Sequence, residues 1–150
     1  MPQSLGPPIT PAPRAPTYTE IAHAVRLLDG ERAKRVRDMM NAIFELANSP
    51  GDPIDWADPD RWISERLEAD VGRLARKVWE GSGKTLNPRY LYGHYKIINR
   101  LKLLELVDGT YLCGERGRQF LAGDKAILAE LMELRVSDRR GSRSDTQSEH

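Results

Sequence analysis

Arg89, Tyr92, Lys96, Asn99 and Arg100 recur at helical spacing within residues 87–103, and each carries a side chain suited to a nucleic-acid surface. At about 100° per residue they fall, with Gly93 and Leu103, on one side of a helix. Tyr90, Leu91, His94, Ile97, Ile98, Leu101 and Leu104 fall on the other side and are expected in a core. Arg and Lys suit guanine edges and phosphates, Asn suits adenine, and Tyr reaches a phosphate or a thymine methyl. Gly93 would let the helix backbone come close to a strand, at a cost in helix stability. A helix of this kind fits the DNA major groove. The plainer reading of the same pattern is a solvated surface helix.

Two short β-type runs, 104–107 and 111–113, follow this helix around Asp108-Gly109-Thr110. Asp-Gly between such runs predicts a hairpin, because the turn needs residues that tolerate positive φ. A short helix over 115–121 then stops at Gly123. Helix, tight hairpin and closing helix, in that order, predict a winged helix-turn-helix. Lys84 before the helix, and Lys102, Arg116 and Arg118 beside the hairpin, are placed to hold phosphates. Each neutralised phosphate would contribute roughly −0.9 to the salt slope of binding. From Lys84 to Arg118 there are seven basic residues against three acidic ones, although the whole chain is only +1. The basic excess is therefore local. The wing tip carries one acid, which argues against deep minor-groove insertion.

No catalytic constellation stands out. Gly81-Ser82-Gly83-Lys84-Thr85 ends like a phosphate-binding loop but lacks the earlier glycine and the preceding strand. The acids Asp52, Asp55, Asp58 and Asp60 lack the closing glutamate of an EF-hand. Cys113 is the single cysteine, so no intramolecular disulfide and no cysteine-based metal cluster can form; its place in a hairpin strand predicts a small buried filler. His94 on the apolar side predicts a hydrogen-bonded core residue, and His23 has no partner at ligand spacing. These readings predict no metal, no cofactor, no small-molecule substrate and no enzymatic activity.

The elements that must position the basic helix are mostly helical. Thr17 or Thr19 caps a helix to about Leu28, and Asp29-Gly30 ends it. A second helix is predicted over 31–47, with Val36, Met39, Met40, Ile43, Phe44 and Ala47 as its apolar stripe. Asp58 with Pro59 starts a third helical region. Its two apolar patches, one around Trp62, Ile63 and Leu67 and the other from Val71 to Trp79, differ in phase, which favours a break near 68–70 over one helix from 59 to 80. Asn87-Pro88 starts the basic helix. A last helix is predicted over 124–136. Ile127, Leu128, Leu131 and Leu134 lie exposed along one of its sides, either as a homodimer interface or folded back on the helix of 31–47. The proline-rich residues 1–16 predict a disordered arm, and 137–150, polar and aperiodic, a disordered tail or linker, leaving 17–136 as the winged-helix domain. No run approaches ~20 apolar residues, so no membrane span is expected, and the start lacks a secretory signal. A cytoplasmic protein is the plain expectation.

The stretch LYGHYKIINRLKLLELVDGTYLCGERGRQFLAG resembles the winged-helix DNA-binding region that precedes the nuclease domain in Mrr-type restriction endonucleases. The likeness is carried by the aromatic-rich helix at 90–95, the apolar step at 103–107, the Asp-Gly-Thr-Tyr hairpin and the closing Glu-Arg-Gly-Arg-Gln-Phe-Leu. It extends over about residues 17–123. Many winged-helix regulators share the hairpin and closing helix. The resemblance implies a DNA-targeting module of a restriction system, and the family's nuclease domain does not fall within these residues. The expectation is thus a mainly α winged helix-turn-helix, with additional N-terminal helices and a two-stranded wing, that binds duplex DNA. The alternative is a winged-helix protein-interaction or dimerisation module without nucleic acid.

Overall fold

A computed structural model describes residues 15–148, with side chains to Val136. The described residues are mainly helical, with one two-stranded antiparallel sheet among them. Helix α1 (Tyr18–Leu28) opens on a capping box. The Thr17 hydroxyl accepts from Glu20 N (3.2 Å), and the Glu20 carboxylate accepts from Thr17 N (3.0 Å). This helix buries Ile21, Ala22, Ala24, Val25 and Leu28, so it is apolar over most of its circumference. It is the hub of the core, packing on α4, α5, α6 and the hairpin.

The connector after α1 departs from expectation. Helix α2 spans Ala33–Asn48 rather than starting at Glu31. The backbone of 30–33 is bonded to the hairpin, with Arg32 extended: Gly30 N donates to Tyr111 O (2.6 Å), Tyr111 N to Glu31 O (2.9 Å) and Ala33 N to Gly109 O (2.8 Å). Asp29 continues this edge, its carboxylate accepting from Cys113 N at 2.9 Å. Backbone groups paired this way are not available to a helix. The hairpin itself, β1 (Leu104–Val107) and β2 (Thr110–Cys113), pairs Leu104 with Cys113 and Val107 with Thr110. Asp108 and Gly109 both have positive φ, 51° and 80°, as the two-residue turn requires.

The predicted break in the third helical region is present. Helix α3 (Pro59–Arg66) and helix α4 (Ala69–Gly81) are separated by extended Leu67 and Glu68, and Ala69 has φ 52°. Asp58 precedes α3 with Pro59 at its first turn, but its side chain makes no capping hydrogen bond. Asn87 caps a 3-10 turn, Pro88–Tyr90, which leads into helix α5 (Leu91–Leu101). α5 stops where Lys102 turns left-handed (φ 57°, ψ 46°). Leu103 therefore lies beyond the helix and is fully buried, not on the polar side where helical spacing had put it.

Helix α6 (Glu115–Leu121) is followed by α7 (Lys125–Ser148). The latter continues through the segment from Ser137 that was expected as a tail, whereas residues 1–14 of the predicted arm lie outside the described residues. The apolar stripe of α7 is not exposed: Ile127 and Leu131 are buried, and Leu128 and Leu134 pack partly against the core. It packs on α5 and α6. No described helix is long and apolar enough to cross a membrane.

Two tests follow from the packing. A Cβ on Gly117 would sit 2.3 Å from the Leu103 carbonyl oxygen and 2.7 Å from Cys113 Sγ, so α6 rests on the α5–β1 junction through a bare glycine. Gly117→Ala should destabilise by about 1–3 kcal/mol in chemical denaturation, as overpacking does. Tyr111 and Tyr95 join β2 to α5 through a 2.5 Å hydroxyl–hydroxyl bond with rings edge to face. Burial, then the bond to Tyr95, push the Tyr111 hydroxyl up to about 12 from its ordinary 10.0, with Arg37 opposing. The unfolded chain therefore loses this proton first. Stability from the pair is complete below pH ~10 and is lost as pH rises towards about 12. Thermal unfolding of Tyr111→Phe should decline less across that window than the parent.

Candidate nucleic-acid interface

α5 presents Tyr92, Lys96, Asn99 and Arg100 to solvent, with Lys102 at its end. Tyr92 is 60% exposed, and the Lys96 ammonium lies over its ring at 5.6 Å. Lys96, Arg100 and Lys102 pair with no acid among the described residues. Cations elsewhere are commonly neutralised: Lys34 by Asp38, Arg61 by Glu65, Arg76 by Glu80 and Lys77 by Glu31. The polar face of α5 is thus a local positive surface in a nearly neutral chain.

The remaining predicted contacts are placed differently. Arg89 belongs to the 3-10 turn and is half-buried, its guanidinium 4.9 Å over the Trp56 ring and 5.7 Å from that of Tyr90. Its Nε is buried without a hydrogen-bond partner among the described residues. Trp56 is held in turn, its carbonyl accepting from Asn87 Nδ2 (2.8 Å) and Trp62 Nε1 (3.2 Å). Lys84 sits at the α4 end with φ 60° and reaches Asp60 at 3.1 Å; both are exposed, so the pair contributes little. Arg116 is drawn into the fold: Nε donates to Leu101 O (2.9 Å), and Nη2 meets Glu130 of α7 at 2.9 Å. Arg118 donates to Cys113 O (3.2 Å) and stays exposed.

Gly93 is exposed, and the nearest atom to a Cβ there would be Pro16 Cγ at 3.9 Å. That is an ordinary contact distance, so the chain entering α1 does not require a glycine there. The Pro16 carbonyl accepts from Arg135 of α7. His94 is buried and bonded as its position predicted, Nδ1 to Tyr90 O (3.1 Å) and Nε2 to Glu20 Oε1 (3.3 Å). Cys113 is half-buried; burial first, then the Asp29 carboxylate, push its thiol up, which disfavours a nucleophile. No group of three metal-binding side chains occurs among the described residues.

A second feature was missed from sequence. Arg37, Asn41 and Phe44, at i, i+4 and i+7 of α2, face Arg89, Tyr92 and Tyr95 across a groove of about 620 Å³. Phe44 is 66% exposed, although the apolar period of α2 assigned it to the core. The available signal was that Arg37, Asn41 and Phe44 make a stripe of their own beside Val36, Met39 and Ile43.

The geometry of Arg116 gives a test. Arg116→Ala removes a bond to an α5 end carbonyl and should cost about 1 kcal/mol of stability, the exposed ion pair adding little. Arg100→Ala, with no such partner, should stay within about 0.5 kcal/mol of the parent. Equal losses in denaturation midpoints would contradict the assignment of Arg116 to the fold.

No family model, curated protein or solved structure matches this chain.

Proposed function

We propose that this chain is a duplex-DNA-binding module of the winged helix-turn-helix type, reading the major groove with α5 and setting the β1–β2 hairpin beside the backbone. The observation that carries the reading is the exposed row Tyr92, Lys96, Asn99, Arg100 and Lys102, whose three cations pair with no acid among the described residues. The order α5, hairpin, α6 supports the winged type, as does the connector at residues 30–32 bonded to the outer edge of β2. Lys96 and Arg100 are the best-placed groups for base edges and phosphates, Asn99 for adenine and Lys102 and Arg118 for the backbone. Arg89 supports the helix start from its stack on Trp56, while Lys84 and Arg116 contribute less because each already has a carboxylate. The module binds and does not catalyse; a role in a restriction system rests on the Mrr-type resemblance alone.

A second reading, a protein-interaction module, is favoured by Leu106, Val107 and Leu112, which leave the hairpin apolar and 40–60% exposed. The two separate cleanly. Under the DNA reading the chain is retained on heparin at low salt and shifts duplex DNA. The double variant Lys96→Ala/Arg100→Ala should abolish the shift with unchanged circular dichroism. Parent-like binding by that variant, or flow-through of the parent protein on heparin, would remove α5 from the role.

A further inference from the structure

The groove between α2 and the start of α5 has a composition that specifies its occupant. It is walled by Phe44, Tyr92 and Tyr95, with Arg37 and Arg89 as cations and Asn41 as an amide. No carboxylate among the described residues lines it. Phe44 and Tyr92 stand 66% and 60% exposed, where aromatic side chains of a monomer are normally covered. Arg89 is fixed over Trp56 with its Nε buried and unpartnered, so a cation is held in place at the wall. Aromatic faces offer stacking to a flat ring, arginines offer charge to an anion, and Asn offers a paired donor and acceptor to a base edge. At about 620 Å³ the space falls within the ~300–1,000 Å³ of small-ligand pockets.

Resting on the DNA-binding reading, we infer that this groove receives one unpaired nucleobase of the bound nucleic acid, stacked on Phe44 and Tyr92 with its phosphate at Arg37 or Arg89. Tyr92 and Arg89 belong both to the groove and to the predicted duplex-facing set, so the groove opens at the N-terminal end of α5, beside the surface proposed to meet the duplex. A base already unpaired reaches such a site without the cost of breaking a pair, so extrahelical bases are the preferred occupants. A strand-borne base is favoured over a free nucleotide because the cations continue along α5 from Lys96 to Arg100 and Lys102, the face proposed to meet the duplex backbone. The chain then recognises an irregular duplex, one with a bulged or flipped base, above a perfect one.

Fluorescence anisotropy with two labelled duplexes tests this, one fully paired and one identical but for a single-nucleotide bulge. The bulged duplex should bind about tenfold more tightly, in keeping with one base–aromatic stack. Phe44→Ala, a change at an exposed side chain outside the duplex-facing set, should remove the preference and leave affinity for the paired duplex unchanged. Phe44→Trp should keep it. Equal binding of both duplexes by the parent protein, or a preference that survives Phe44→Ala, overturns the inference while leaving duplex binding intact. Binding of neither duplex overturns the DNA reading itself. Saturable, Phe44-dependent binding of dAMP without discrimination between duplexes overturns the strand-borne base in favour of a free nucleotide.

Discussion

Strand β2 carries hydrogen bonds along both edges, to β1 on one side and to residues 29–33 on the other. That second edge constrains much else. It ends α1, delays the start of α2 to Ala33, and ties the hairpin to the most buried helix of the fold. Because Tyr111 lies on the same strand and bonds Tyr95, the hairpin is also locked to α5. α2 starts at this junction and α5 is held to it through Tyr95, and the groove lies between them. A two-stranded hairpin alone is marginal in water; here the connector and two helices hold it.

The charge pattern has a similar economy. A net charge of +1 conceals a division between cations that neutralise acids within helices and cations on α5 that do not. Surface ion pairs contribute little to stability, so their main effect here is on the field. They neutralise part of the surface, and Lys96, Arg100 and Lys102 are among the cations left without an acid among the described residues. Arg89 shows the other use of a guanidinium, as a flat group stacked on an indole.

Much of the helical frame was legible from residues alone. The α3–α4 break was readable because two apolar patches could not share one phase, and the hairpin because Asp108-Gly109 has few alternatives. The α6 end at Gly123 (φ 84°) was readable for the same conformational reason. What failed had tertiary causes. Glu31 and Arg32 fit a helical period, but the Glu31 carbonyl accepts from Tyr111 N and Arg32 bridges Thr110, far along the chain. Leu103 lost its helical position because Lys102 turned left-handed, and a wheel cannot see that. The α7 stripe read as uncovered because its cover, α5 and α6, comes earlier in the chain. Arg116 and Phe44 reversed their expected roles, one tied down and one left out, since burial is decided by neighbours and not by residue type.

The path of the chain into α1 bears on how anything joined to its N-terminal side would behave. Pro16 lies against Gly93 and is held by Arg135, so residue 15 emerges beside the polar face of α5. A binding group fused ahead of residue 15 would act on that face at an effective concentration set by the tether's length rather than by bulk solution. A cationic tether would add to the same electrostatic surface, and an acidic one would compete for it as an internal decoy. The site of attachment therefore acts as a tuning point for that surface, without any change to the residues that form it.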